Sequence, residues 1–402
     1  MKNRGFIKKL AALLLGVTVV GSIASGCGGD AGSSSSADSK PASKASAASK
    51  NAETSAASKT PATQAASGNE SAKPEETTQQ NDKPKSADQQ LSGYMQGSID
   101  EFSYTGVAYL TENGSEVYSS GDDITDLYRI ASVSKQFTAA AALMLYEEGK
   151  LDINSTIERY FPEYSHAGEI TIHQLMCMSS GIPDYILMAD GIASPEGTYG
   201  MTAENSSEVN RSIIKKWVFE RDLIFTPGTQ NYYCNTNYLL LAEIVTQAAG
   251  MPYESFIEQR MLAPLGMKST GFGDTWNGGS VVEKADGNYE WFRYKGLCYG
   301  CADMISNAVD LEKWGREFIS NKVLSDNVIS LMTQDQFSGY GYGIIPDVES
   351  GFVYHDGDLP PYSSTLSVNK SRGLVLVMLH CGSHGNLAPV RRSIFGVVKD
   401  II

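Results

Sequence analysis

Ser132 and Lys135 stand one helical turn apart in the run Arg129-Ile130-Ala131-Ser132-Val133-Ser134-Lys135-Gln136-Phe137-Thr138. The Ala-rich stretch Ala139–Ala142 and then Leu143-Met144-Leu145 follow, which reads as a buried helix. A serine where an extended run gives way to a helix has its own amide and the positive end of the helix dipole turned toward it. That amide can hold an oxyanion forming beside the hydroxyl. A lysine three residues on shares the face and can take the hydroxyl proton where burial or a neighbouring cation lowers its pKa. One short stretch therefore contains residue types for a nucleophile, a base and half an oxyanion hole. Serine is equally a favoured helix N-cap with no chemistry attached. The same S-x-x-K spacing recurs at Ser212/Lys215 and Ser367/Lys370, so spacing alone does not decide.

Two further clusters hold matching chemistry. The first is the turn-rich stretch Thr226-Pro227-Gly228 through Tyr232-Tyr233-Cys234-Asn235, which ends at a predicted helix. A tyrosine hydroxyl relays protons if Lys135 lowers its pKa, and an asparagine amide can hold both a lysine and a substrate carbonyl. A loop of satisfied polar side chains is the plain alternative. The second cluster is Tyr354-His355-Asp356-Gly357-Asp358 at a strand end. A glycine there lets a substrate backbone approach a strand edge, and the alternative is a strand end with a solvated histidine.

The elements that must position these groups are legible in outline. An Asn113-Gly114 turn joins strands over 106–110 and 116–119 into a hairpin. Helical signals dominate the middle, over 132–148, 172–178, 209–219, 238–249 and 255–261, punctuated by Pro183, Pro195, Pro227 and Pro264. A helix over 310–318 precedes strands over 341–345, 352–355, 363–368 and 373–379, and an amphipathic helix over 387–402 closes the chain. Strands at both ends and helices between predict an α/β fold. In it an antiparallel sheet is flanked by helices and carries an inserted, mostly helical lobe over about 132–290, with the cleft between them.

Ahead of this lies an export signal. Lys2, Arg4, Lys8 and Lys9 form a basic start, an apolar run covers 10–23, and Ala24-Ser25-Gly26 precedes Cys27. The apolar run is short for a spanning helix. Residues 28–90 contain no Leu, Ile, Val, Phe, Tyr or Trp, so this segment is a disordered tether, with a mean reach of roughly 45 Å. Residues 91–402 keep 21 basic and 38 acidic side chains, a net charge of −17, which argues against nucleic acid as a partner. Five cysteines follow Cys27. Cys298-Tyr299-Gly300-Cys301 is a lone C-x-x-C without a second pair or nearby histidines, so it reads as a local disulfide or two free thiols, and no metal site is expected.

Taken together, Ser132-Val133-Ser134-Lys135, Tyr233-Cys234-Asn235 and His355-Asp356-Gly357 resemble the three motifs of the serine β-lactamase and penicillin-binding-protein superfamily, in its order and at similar spacings. Ile170–Leu175, Ser179–Tyr185, Pro264–Met267 and Asp303–Leu311 resemble connecting stretches of its class C branch, and the likeness covers about 100–402. The signal resembles a bacterial lipoprotein leader, with Ala24 where leucine is usual, which implies a lipid on Cys27 and a protein held at the outer face of the cytoplasmic membrane, facing the cell wall.

The resemblance implies an acyl-enzyme on Ser132, with Lys135 and Tyr233 moving the proton. Asn235, His355 and Gly357 would bind substrate, and the amides of Ser132 and Asp358 would hold the oxyanion, without metal or cofactor. The leading expectation is a D-alanyl-D-alanine carboxypeptidase-type hydrolase acting on a small-molecule or peptidoglycan-peptide substrate. An esterase or weak β-lactamase is the alternative, and a penicillin- or muropeptide-binding sensor is the non-enzyme reading. Two residues depart from the class C pattern: His355 where the β-lactamases carry lysine, and Cys234 where serine is usual. Histidine is mostly neutral at pH ~7 unless acids such as Asp356 and Asp358 raise its pKa. Specificity is expected to reside in the loops over 184–202 and 276–299, where Tyr289, Trp291, Phe292 and Tyr294 either line the cleft or pack the lobe.

Overall fold

The computed structural model describes residues 86–186, 200–285, 287, 289–382 and 387–401. The leader, Cys27 and most of the tether lie outside the described residues, as does 187–199 of the first specificity loop.

The fold begins inside the stretch read as tether. Helix α1 spans Ala87–Phe102, with Ser86 Oγ accepting from Gln89 N and the Gln89 side chain accepting from Ser86 N. This capping box starts a helix even though its first residues are polar, and Leu91, Met95 and Ile99 bury its apolar stripe. Strands β1 (Val107–Glu112) and β2 (Ser115–Ser120) form the predicted hairpin. Asn113 and Gly114 both take positive φ, +50° and +80°, as a two-residue turn requires.

The short strand β3 (Tyr128–Arg129) leads through a 3₁₀ turn at Ala131–Val133 into helix α2, Ser134–Glu147. Every residue from Ser134 to Leu145 is buried, so α2 is the central rod of the molecule. Its alanines let helices approach closely. Helices α3 (Ile172–Met176), α4 (Ser207–Phe219), α5 (Asn235–Ala249) and α6 (Tyr253–Ile257) make up the helical lobe. Strand β5 (Met304–Ser306) pairs with β3 on one side and with β4 (Gly271–Phe272) on the other, in a small sheet that sequence patterning did not reveal, since two- and three-residue strands leave no periodicity.

Helix α7 (Ala308–Ser320) packs Trp314 on Phe137 of α2, rings 4.2 Å apart. Helix α8 (Asp326–Thr333) was not anticipated. Strand β6 is Ile345–Asp347 rather than 341–345. A side chain at Gly341 would come within 2.3 Å of the Met332 carbonyl, so that stretch is a tight turn.

Strands β7 (Phe352–Leu359), β8 (Tyr362–Asn369) and β9 (Leu374–Cys381) complete an antiparallel sheet in the order β2-β1-β9-β8-β7-β6, and helix α9 (Leu387–Ile401) closes the fold. The period of two assigns the faces of the sheet. Leu374, Leu376 and Met378 meet α1 and α9, whereas Val375, Val377 and Leu379 join the large core shared with the helical lobe. The predicted α/β arrangement is the one observed.

Candidate active site

Three elements converge on the start of α2. Ala131 holds φ at +44°, a left-handed conformation that a residue with a side chain rarely adopts. The surroundings fix this turn. Ile130 N donates to Met304 O at 3.0 Å, Ser364 Oγ donates to Ile130 O at 2.7 Å, and Met304 N donates to Ser134 Oγ at 3.2 Å. Ser132 is thereby presented half-buried at the helix mouth.

Lys135 is fully buried, and its ammonium has three acceptors: Ser132 Oγ at 3.0 Å, Asn235 Oδ1 at 2.8 Å and the Cys301 carbonyl at 2.9 Å. Three donors meet three acceptors, which is the full complement of a lysine. Asn235 opens α5, where its amide donates to the Asp184 carboxylate, and Asp184 Oδ1 also accepts from Ile186 N at 2.7 Å. A carboxylate at a helix start is favoured by the dipole, and here it fixes the residue that orients the lysine. The Tyr233 ring stands 4.8 Å from the Lys135 ammonium. Cys234 points away from the cleft, donating to Ile182 O at 3.3 Å from within the core.

On β7 the side chains alternate. Tyr354 and Asp356 face α9, where the Arg391 guanidinium stacks on Tyr354 at 3.8 Å and donates to Asp356 Oδ2 at 2.8 Å. His355 and Gly357 face the other way. A Cβ on Gly357 would stand 2.4 Å from Ile130 O, 2.4 Å from Ser364 Oγ and 3.0 Å from Ser132 N, so this glycine lets the strand lie against the nucleophile turn. Strand β6 pairs with β7 only as far as Tyr354. Beyond it, the edge carrying His355–Leu359 has no strand beside it among the described residues.

The electrostatics correct two expectations. The carboxylates of Asp356 and Asp358 do not raise His355, because they alternate onto the far face: burial, reinforced by Lys135, outweighs the raising bond to the Asp356 backbone carbonyl and pulls the imidazole down to about 3. Nor is Tyr233 lowered overall. Burial raises its hydroxyl more than Lys135 lowers it. Burial also works against the Lys135 charge, but Tyr233, Cys301 and Asp184 outweigh it and hold the ammonium above its ordinary value. The resting site thus keeps both protons, and one must leave before either group can accept from Ser132. Turnover of an uncharged ester is expected to rise as pH goes from ~6 to ~9. A kcat/KM profile that is flat or falling over that range would contradict this, and His355 adds no limb near neutrality.

Asp358 supplies a stability prediction. Burial, then the charge of Asp356, pushes its carboxyl up to about 6. The folded value exceeds the unfolded one of about 3.9, so stability falls as pH rises from ~4 to ~6. Asp358→Asn is expected to stabilise the fold by about 1–2 kcal/mol above pH ~7 and to lose that advantage near pH ~4. Thermal melts at the two pH values check it.

The structure brings Ser132, Lys135, Tyr233, Asn235, His355 and Gly357 together at the start of α2. Asp184, the Cys301 carbonyl and Tyr340, whose hydroxyl lies 2.9 Å from His355 Nε2, were missed as contributors. None of them carries a sequence signal: Asp184 lies 51 residues from the helix start that it caps. The other S-x-x-K pairs are structural: Ser212 bonds Glu208 O on the surface of α4, and Ser367 is buried in β8 beside Thr365. Cys298 and Cys301 are free, buried thiols. Tyr289 and Phe292 pack edge-on against Tyr362 of β8, at 5.9 and 5.5 Å, and the Arg129 guanidinium lies 4.1 Å over the Phe292 ring. The Trp291 side chain lies outside what is described.

Known proteins share this architecture. A putative penicillin-binding protein, PbpX of Bacillus subtilis, is 26% identical over 333 residues, 78% of each chain. Protein flp of Staphylococcus aureus is 27% identical over 281 residues, and the match spans about half of that protein, 53%. The D-stereospecific amidohydrolase of a Streptomyces species superposes with a TM-score of 0.63 at 22% identity, covering 76% of this chain and 98% of that one, which establishes the fold as β-lactamase-like. The Beta-lactamase family model matches residues 96–396, a span that takes in the nucleophile turn, the start of α5 and the third-motif strand. With its three motifs gathered at the start of α2 in that fold, the chain belongs to the beta-lactamase family of serine hydrolases.

Proposed function

We propose that the protein is an exported, lipid-anchored serine hydrolase that cleaves a D-alanyl-type amide or ester through an acyl-enzyme on Ser132. The observation that carries this reading is the buried Lys135 ammonium, bonded at once to Ser132 Oγ and Asn235 Oδ1. Once the Lys135–Tyr233 pair has lost one proton to solvent, Ser132 Oγ attacks the carbonyl carbon and its own proton passes to that pair. The amides of Ser132 and Asp358 hold the oxyanion. The bond to the leaving amine or alcohol breaks as Tyr233 returns the proton to it. Water then attacks the acyl-enzyme, the acid leaves and Ser132 regains its proton. Asn235 keeps Lys135 in place throughout.

Two points support the choice of substrate. The same fold serves a D-stereospecific amidohydrolase, and a leader ending at Cys27 followed by a long tether suits work at the cell wall. The test is turnover of an activated ester and of D-alanyl amides, esters and peptides by the purified protein beside Ser132→Ala. Hydrolysis of a D-alanyl substrate by the wild type alone is expected. Hydrolysis of L-alanyl substrates only would overturn the D-alanyl assignment, and equal turnover by both proteins would overturn the mechanism.

A further inference from the structure

Both ring nitrogens of His355 are engaged by the fold itself. Nδ1 lies 2.5 Å from the Asp356 carbonyl oxygen, and a carbonyl only accepts, so Nδ1 carries the proton. Nε2 then holds a lone pair, which takes the Tyr340 hydroxyl at 2.9 Å. A neutral imidazole has one donor and one acceptor, and neither is left for a substrate. His355 is 2% exposed, with its ring 6.1 Å from that of Tyr233.

The groups around it oppose a second proton. Lys135 reaches it from α2, and Arg391 acts through the sheet from α9. Tyr233 and Tyr340 are the other titratable side chains against the ring. The Asp356 carboxylate is on the opposite face, tied to Arg391, and Asp358 alternates with it. At the position where class C β-lactamases place a lysine, this site therefore offers neither a fixed charge nor a free N–H.

Resting on the serine-hydrolase reading, we propose that Tyr340 is a specificity-determining positioning residue. By occupying His355 Nε2 it closes the third motif to anions, and the cleft takes acyl donors with no carboxylate beside that motif, neutral amides and esters in preference to free acids. A carboxylate bound there would meet the outward dipoles of an uncharged pair instead of a cation, and would lose its hydration without a compensating partner.

The experiment compares pairs that differ only in that charge: benzylpenicillin with its methyl ester, followed as acylation by intact mass, and N-acetyl-D-alanyl-D-alanine with its carboxamide, followed as hydrolysis. In the wild type the neutral member is expected to react at least ~10-fold faster, with a ratio that does not change between pH ~6 and ~8. In Tyr340→Phe the freed Nε2 can take a proton as an anion arrives. The ratio is expected to narrow at least ~5-fold, and further at pH ~6 than at pH ~8. A purely structural role for Tyr340 would slow both members alike.

A wild type that prefers the free acid would overturn the substrate class, and an unchanged ratio in Tyr340→Phe would overturn the role of Tyr340. Cleavage of an activated ester with no reaction of either neutral member would also overturn the substrate class, while leaving the serine-hydrolase reading standing. Failure of the activated ester as well would remove that reading.

Discussion

Replacing Lys135 with methionine is expected to lower kcat/KM for any ester or amide substrate by about 10³-fold or more while shifting Tm by only a few degrees. The two effects separate because the ammonium does two things. It is the hydrogen-bonded neighbour of Ser132 Oγ, and its removal takes away the group that receives the serine proton. It is also a buried charge, and relief of its desolvation is worth several kcal/mol. Against that, Asn235 Oδ1 and the Cys301 carbonyl lose their donor, at about 1–3 kcal/mol each. The two stability effects oppose one another, so the variant should fold and bind without turning over. Steady-state kinetics beside a thermal melt check both halves. A variant retaining a tenth of wild-type kcat/KM would remove Lys135 from the mechanism.

Gly357→Ala should be nearly as damaging, through geometry alone. The added methyl would stand 2.4 Å from a backbone carbonyl on the Ser132 turn and 3.0 Å from the Ser132 amide itself. Ile130 O cannot swing aside, because Ser364 Oγ and the β3–β5 pairing hold that turn. Either β7 or the nucleophile turn must move by several tenths of an ångström. Overpacking of this kind costs about 1–3 kcal/mol of stability. A displacement of the nucleophile relative to its oxyanion donors costs on the order of 10²-fold in rate. A drop in kcat with little change in KM, in a protein that still melts cooperatively, is the expected pattern. Unchanged kcat would mean that β7 does not pack on the nucleophile turn as described.

These two residues also show how far the sequence could be read. Ser132, Lys135, Tyr233 and Asn235 were legible because each belongs to a short motif whose spacing is set by a helix start, a local geometry that the sequence carries with it. Gly357 was legible as a strand glycine, though what it must avoid, Ile130 O and Ser132 N, lies more than 200 residues away along the chain. Long helices and strands followed from periodicity. The small β3–β5–β4 sheet did not, because pairing of two or three residues is decided by tertiary contacts alone. Helix α1 was overlooked since its apolar stripe begins at Leu91, four residues after its capped start.

Charge was the least legible property. Asp356 and Asp358 adjoin His355 in sequence, and proximity along the chain suggests that they raise its pKa. Strand alternation turns Asp356 to α9 and Arg391, and leaves the imidazole facing Lys135 and Tyr340. Tyr340 itself stands in the turn Ser338-Gly339-Tyr340-Gly341, where nothing in the residue types marks it as the partner of a histidine 15 positions on.

The central claim is that Ser132 becomes acylated during turnover. The most direct measurement is intact mass with peptide mapping, made on the purified protein within seconds of mixing with an activated neutral ester, beside Ser132→Ala. A single acyl mass on the peptide carrying Ser132, absent from the variant and decaying at the rate of turnover, is the predicted result. Hydrolysis by Ser132→Ala at the wild-type rate, or an acyl group carried on another residue, would contradict it.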